Sequence, residues 1–192
     1  MTWKYKEVDI GLDYEKLVEY YQQLISQYRN KMWTLDNRVI GAEKHEAKDI
    51  FGWGLQSNLP DINENCPPYN VSKEKIDYYR DTELIFGYVK ELKEKFPNST
   101  QWSIAGHTPN TKINLHTDSS NYLKIHIPIY TNNKAYFLFE NEKIVMQPGK
   151  SYLINTRELH GTENLGDTNR IHLFFKISTN SIEEIMEQTT NE

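Results

Sequence analysis

His116, Asp118 and His160 are the residues of this 192-residue chain whose types and spacing suit metal chemistry. Two imidazole nitrogens and one carboxylate on one face of an iron leave three positions open, the arrangement of non-haem Fe(II) oxygenases. His116 and Asp118 stand two apart in "KINLHTDSSNYLKIHIPI" (112–129), so both point to the same side of an extended strand. An HxD pair alone is a weak signal, since polar residues at solvated strand positions read the same way. Its weight comes from His160, 44 residues later in "NTRELHGTENLG", and from Arg170, ten residues further on.

Residues so far apart need a fold to bring them together. From Gln101 onward the texture is that of short strands, expected at 101–106, 111–117, 121–130, 134–140, 142–147, 150–155, 159–164 and 169–177. Turn residues divide them: "TPNT", "SSN", "TNNK", "EN", "PG", "TRE" and "LGDTN". Before residue 98 the signals are helical. Asp13 is a candidate N-cap, followed by Leu17, Tyr20, Tyr21, Leu24, Ile25 and Tyr28 at helical spacing. A second such run follows Asp81 and Thr82, with Leu84, Ile85, Tyr88, Val89 and Leu92. Between the two, "IFGWGLQS" reads as a strand and "NLPDINENCPPYN" as a loop, its 60–70 part a candidate rim or lid. "SIEEIMEQ" reads as a closing helix.

The fold expected is therefore mainly β with flanking α-helices: a jelly roll, or double-stranded β-helix of the cupin-like kind. Residues 1–192 form a single domain, with a mostly helical part over 1–98, the β core over 99–178 and a helix or tail over 179–192. In a jelly roll the second and seventh strands are neighbours, which brings His160 to His116 and Asp118. One sheet runs first, eighth, third, sixth, so Ser103, Arg170 and His126 should line up side by side on it, facing the ligands. A buried arginine there needs an anion. A dicarboxylate such as 2-oxoglutarate would chelate iron at one end and pair with Arg170 at the other.

Side-chain parity agrees. Arg170, His172, Phe174 and Lys176 share one face of their strand, and Ile171, Leu173, Phe175 and Ile177 the other. Tyr122, Lys124 and His126 likewise oppose Leu123, Ile125, Ile127 and Ile129. The apolar faces suit burial beneath the N-terminal helices, and the mixed faces suit a cavity. A histidine bonded to a backbone carbonyl in the core would read like His126, and a strand serine like Ser103 needs no function. Lys124, His172, Trp102 and Tyr122 are further candidates for substrate contact or for support of the site. His107 and His45 read as surface histidines, and Cys66 as an ordinary loop residue.

Bulk properties narrow the partners. Net charge is -5 and pI about 5.7, so no diffuse basic surface points to nucleic acid. One cysteine excludes an intrachain disulfide and a thiolate cluster. The first residues lack the apolar stretch of a secretory signal, and no segment approaches the length of a membrane span. A cytoplasmic protein acting on a small molecule or peptide is expected, with its oligomeric state left open.

"HTD" (116–118), "LKIHIPI" (123–129) and "PGKSYLINTRELHGTENLGDTNRIHLFF" (148–175) resemble the aspartyl/asparaginyl β-hydroxylase family of Fe(II)/2-oxoglutarate oxygenases, over residues 98–178. The resemblance implies a double-stranded β-helix with His116, Asp118 and His160 as iron ligands, and 2-oxoglutarate and O2 as cosubstrates. It implies that Arg170, His126 and Ser103 hold 2-oxoglutarate, and that an amino acid, free or in a peptide, is hydroxylated. Lys124 stands where the family often has arginine. Asp118 stands where the animal enzymes have glycine, so their substrates do not carry over. That carboxylate also argues against a halogenase, which needs its coordination position for halide. The rival readings are a non-catalytic jelly-roll module for metal or ligand, and a related oxidation such as desaturation or cyclisation. A cupin's HxH pair is absent from the sequence.

Overall fold

The computed structural model describes residues 3–34, 50–57, 79–118 and 121–178. The expected rim loop, the closing helix, His45 and Cys66 lie outside these residues. Strand β1 (Tyr5–Val8) leads into helix α1 (Tyr14–Tyr28), which Asp13 caps by accepting a hydrogen bond from the Lys16 N–H at 3.1 Å. Leu17, Tyr20, Tyr21 and Leu24 fall on its buried face, as their spacing requires. Strands β2 (Trp33–Thr34), β3 (Ile50–Gly54), β4 (Gln56–Ser57) and β5 (Arg80–Asp81) follow, then helix α2 (Gly87–Glu94). The N-terminal part thus adds strands to its helices.

Helix α2 starts later than the apolar run suggests. Asp81 belongs to β5, and Thr82 forms a turn instead of a cap. Its carbonyl accepts from Ile85 N at 3.1 Å and its hydroxyl from Leu84 N at 3.2 Å. That turn still sends Leu84 into the core, so the apolar pattern is satisfied without helix.

The eight remaining strands match the eight expected: β6 (Thr100–His107), β7 (Thr111–His116), β8 (Tyr122–Tyr130), β9 (Ala135–Phe139), β10 (Glu142–Ile144), β11 (Ser151–Ile154), β12 (His160–Asn164) and β13 (Arg170–Ser178). They form two sheets. The major sheet runs β1-β11-β8-β13-β6-β3-β2, and the minor sheet β10-β9-β12-β7. The first, eighth, third and sixth strands of the β core are adjacent in the major sheet, and the second and seventh pair in the minor one. This is the double-stranded β-helix, widened by β1 at one margin and by β3 and β2 at the other.

Both helices cover the outer face of the major sheet. Leu17, Leu24, Val89 and Leu92 pack there with Leu123, Ile125, Ile127, Leu173, Phe175 and Ile177 in one apolar cluster. Each such side chain contributes about 1.5–3 kcal/mol by leaving water. Polar contacts fix the docking: Tyr14 Oη donates to Ile129 O at 2.8 Å, Tyr20 Oη to Leu84 O at 2.6 Å, and Trp53 Nε1 to Tyr28 O at 2.9 Å.

The space between the sheets is packed differently. Phe137, Phe139, Met146, Tyr152 and Ile154 fill one margin. Trp33, Ile50, Ala105 and Phe174 form a second apolar group. Buried polar residues from β6, β8 and β13 also face this interior. Among the described residues, no helix is long and apolar enough to cross a membrane.

Candidate functional site

His116 ends β7 and His160 opens β12, directly opposite it in the pairing of the two strands. Asp118 follows β7 by two residues, and its N–H donates to Thr156 O at 2.8 Å. Thr156 in turn donates its hydroxyl to Tyr122 O at 3.2 Å. Asp118 Oδ1 lies 3.9 Å from His116 Nε2, and Oδ2 lies 3.8 Å from His160 Nε2. One donor atom from each residue falls within 4.8 Å of the other two.

The imidazoles are oriented for this meeting. His116 Nδ1 bonds Asn114 O at 2.9 Å and His160 Nδ1 bonds Glu158 O at 3.0 Å. A carbonyl only accepts, so each Nδ1 carries the hydrogen and each Nε2 presents its lone pair. Gly161 permits the approach of β12 to β7, because a Cβ there would meet Ile113 O at 2.5 Å. This donor set suits a divalent metal such as iron: two neutral imidazoles and one carboxylate converging, with His116 exposed enough to leave an open side.

Charge at the site is arranged around Asp118. Burial alone would raise its carboxyl, but Lys124, with Nζ at 2.6 Å from Oδ2, holds it far below the usual carboxylate range. Burial and the Lys124 charge push the His160 imidazole down to about 4. Lys176 is pushed down to about 8 by burial and by Lys124.

Deeper in, β6, β8 and β13 present Ser103, His126, His172 and Arg170, all buried. The expected row needs one correction. Ser103 and His126 flank Phe174 in register, whereas Arg170 lies opposite His107, four residues back along β13. At about 3.3 Å per residue that is a step of roughly 13 Å. The set is therefore a strip along the strands and not a single row across them.

Three atoms of this strip lack any hydrogen-bond partner among the described residues: Ser103 Oγ, His126 Nδ1 and His172 Nε2. Leaving a buried polar atom unpaired costs about 1–3 kcal/mol. Arg170 Nη2 donates to His172 Nδ1 at 3.1 Å; the guanidinium cannot accept, so His172 Nε2 carries a hydrogen with nowhere to go. Burial, with the Arg170 charge, pushes His107 and His172 well below the ordinary histidine range. Burial, Lys124 and Arg170 do the same to His126, which is also stacked on Phe174. Neutral donors and acceptors around a buried guanidinium fit an anion with several oxygens, as 2-oxoglutarate has.

Trp102 does not belong to the site. It lies on the opposite face of β6, fully buried, stacked on Phe175 at 3.9 Å, with Nε1 donating to Ser99 Oγ at 2.7 Å. Alternation along the strand places Ser103 inward and so Trp102 outward, against the helices. Tyr122 and Lys124 stand on the inner side of β8 toward the metal-ligand end. His107 was expected at the surface and is instead 2% exposed, with Nδ1 3.3 Å from Thr162 Oγ1. Its parity with Ser103, two pleats along the same strand, was the available signal.

Residues 81–179 match the family model described as aspartyl/asparaginyl beta-hydroxylase. No curated protein matches the chain. Among solved structures, it resembles an oxidoreductase of the 2OG-Fe(II) oxygenase family from Burkholderia pseudomallei at 11% identity, with a TM-score of 0.54 over 91% of this chain and 85% of that one. It also resembles the viral collagen prolyl hydroxylase of Paramecium bursaria Chlorella virus-1, solved as a 2-oxoglutarate complex. There the identity is 12% and the TM-score 0.53, over 92% of this chain and 96% of that one. These likenesses share the double-stranded β-helix, and the family model spans the strands that carry the site. The chain belongs to the aspartyl/asparaginyl β-hydroxylase family.

Proposed function

We propose that the protein is an Fe(II)- and 2-oxoglutarate-dependent dioxygenase that hydroxylates an amino acid, free or within a peptide, or a similar small molecule. The observation that carries this reading is the meeting of His116, Asp118 and His160 donor atoms within 4.8 Å at one end of a buried polar strip that contains Arg170. Family membership supports the same chemistry.

Bound ferrous iron with 2-oxoglutarate and O2 would supply oxidative decarboxylation of the cosubstrate coupled to oxidation of an unactivated C–H bond. The protein's own part is positional. His116, Asp118 and His160 would hold the metal by Nε2, a carboxylate oxygen and Nε2. Lys124 keeps the Asp118 carboxylate ionised at any physiological pH. Arg170 would pair with the far carboxylate of 2-oxoglutarate, while Ser103, His126 and His172 accept or donate along its length. Phe137 and Phe174 line His126 and keep that stretch apolar and dry.

The test is anaerobic addition of Fe(II) and 2-oxoglutarate, watched for the visible metal-to-ligand charge-transfer band. The band should form, and Arg170→Ala should weaken 2-oxoglutarate binding at least tenfold. Oxygen-dependent succinate release should vanish in His116→Ala and His160→Ala. No band, with 2-oxoglutarate affinity unchanged in Arg170→Ala, would leave a non-catalytic jelly-roll module as the better reading.

A further inference from the structure

We propose that the outer margin of β7 is a docking edge for a peptide, which adds to the minor sheet as a further strand and is led along it to the metal ligands. The proposal rests on the dioxygenase reading and narrows its substrate to an extended peptide.

β7 is the last strand of the minor sheet, and among the described residues it pairs with β12 alone. Its six residues make it the longest described strand at a margin of either large sheet; β1 has four, β10 three and β2 two. One close approach fixes the direction of its peptide groups. Ile113 O lies 2.5 Å from where a Cβ on Gly161 would stand, so that carbonyl faces β12. The trans peptide then sends the Asn114 N–H the other way, and strand alternation sends the Lys112 N–H and C=O with it. No partner for these groups is found among the described residues. Charge and proline are the ordinary guards of such an edge. β7 has no proline, and its one lysine, Lys112, is turned back to Glu163 of β12 at 3.6 Å.

What surrounds the edge points to a substrate peptide. The edge ends at His116, with Asp118 just beyond, so a strand added there passes the metal donors with its backbone already held. Leu115 and Leu159, each next to a ligand histidine, are 42% and 40% exposed, an apolar rim that an extended chain would cover. On the outer face, a concavity of about 570 Å³ begins at Lys112, Asn114 and Leu115 and runs across to Leu138 and Lys143. Gly161, opposite Leu138, leaves the strand between them without a side chain. Strand addition draws affinity from main-chain bonds and specificity from pockets for alternate side chains. The concavity, with Leu115 and Leu138 in its lining, is placed to take an apolar one. A free amino acid would use neither the edge nor the concavity.

The experiment uses protein loaded anaerobically with Fe(II) and 2-oxoglutarate and titrated calorimetrically. The probes are dodecapeptides of Thr, Ser and Leu with a central Asp, Asn, Pro or Lys, each set against the same amino acid in free form. At least one peptide should bind tenfold or more tightly than its free central amino acid. Methylating its amide nitrogens one at a time should weaken binding tenfold at alternate positions and leave the positions between them unchanged. Lys112→Pro removes a margin N–H that an edge strand can spare. It should weaken the same peptide at least tenfold, with the charge-transfer band unchanged; if this variant does not fold, the methylation series decides alone. Three results each overturn the docking edge while leaving the dioxygenase reading standing: no peptide ahead of its amino acid, a series without alternation, or a folded Lys112→Pro that binds the peptide unchanged. Dimerisation of the unaltered protein that Lys112→Pro abolishes would give the edge to a second copy, and overturns it too. Absence of the band in the unaltered protein defeats the dioxygenase reading itself.

Discussion

His116 and His160 face one another across β7 and β12 with ring centroids 4.5 Å apart, tilted by 48°. The pair closes a strand ladder and a donor set at once. A divalent ion bound there ties the minor sheet together and stabilises the folded state by mass action. At a hundredfold excess over Kd the gain is about 2.7 kcal/mol. Thermal melts under anaerobic Fe(II), or with Mn(II), should rise accordingly. His160→Ala and Asp118→Ala should each abolish the rise, and a full rise in either variant would place the ion elsewhere.

Ser103 carries a prediction of opposite signs. Its hydroxyl is fully buried and has no partner among the described residues, so Ser103→Ala should leave the ligand-free protein unchanged or more stable by about 1 kcal/mol. The same change should weaken 2-oxoglutarate about tenfold, near 1.4 kcal/mol. Urea unfolding and a charge-transfer titration read the two effects separately. A clear loss of stability would mean the hydroxyl has a partner within the protein.

Buried neutral histidines make the metal-free protein acid-sensitive. His160 has a folded pKa of about 4 against an ordinary 6.5, so between these values the unfolded chain binds the extra proton. Stability must then fall as pH drops through that window, by about 3 kcal/mol from His160 alone. His107, His126 and His172 are also held low, and they extend the loss to more acid pH. Urea midpoints measured from pH 7 to pH 4 should decline steeply, and a flat profile would contradict the burial of these rings.

Trp102 separates packing from recognition. Truncating it to alanine removes the stack on Phe175 and should cost about 3–5 kcal/mol of stability. Trp102→Phe keeps an aromatic ring and should leave 2-oxoglutarate affinity unaltered. A large change in that affinity would return the indole to the cavity.

What could be read from the chain depended on periodicity. Eight core strands and their order were legible because alternation and turn residues are local signals, and jelly-roll winding converts order in sequence into neighbours in space. The helix at Tyr14–Tyr28 was legible for the same reason, with Asp13 marking its start. Strands β1, β2 and β5 were not. They have two to four residues each and gain their pairing only from partners elsewhere in the chain. Leu84 fits the helical apolar spacing although it lies in a turn, because the turn buries it as well as a helix would. Parity on β6 decides both Trp102 and His107: Ser103 defines the inward face, which His107 shares and Trp102 does not. The step along β13 between Arg170 and the Ser103–His126 level was hidden, since strand order says nothing of register.

Strand β1 has a consequence of its own. It pairs with Ser151–Ile154, and all four of those residues are buried. Tyr5 also stacks on Phe139 of the minor sheet at 5.5 Å. Stripped of this short segment, β11 would present bare amide and carbonyl groups along an apolar margin, a template for another chain to add itself. With β1 in place, the margin of the major sheet passes from the wholly buried β11 to a more exposed strand, held there by a partner more than 140 residues away in sequence.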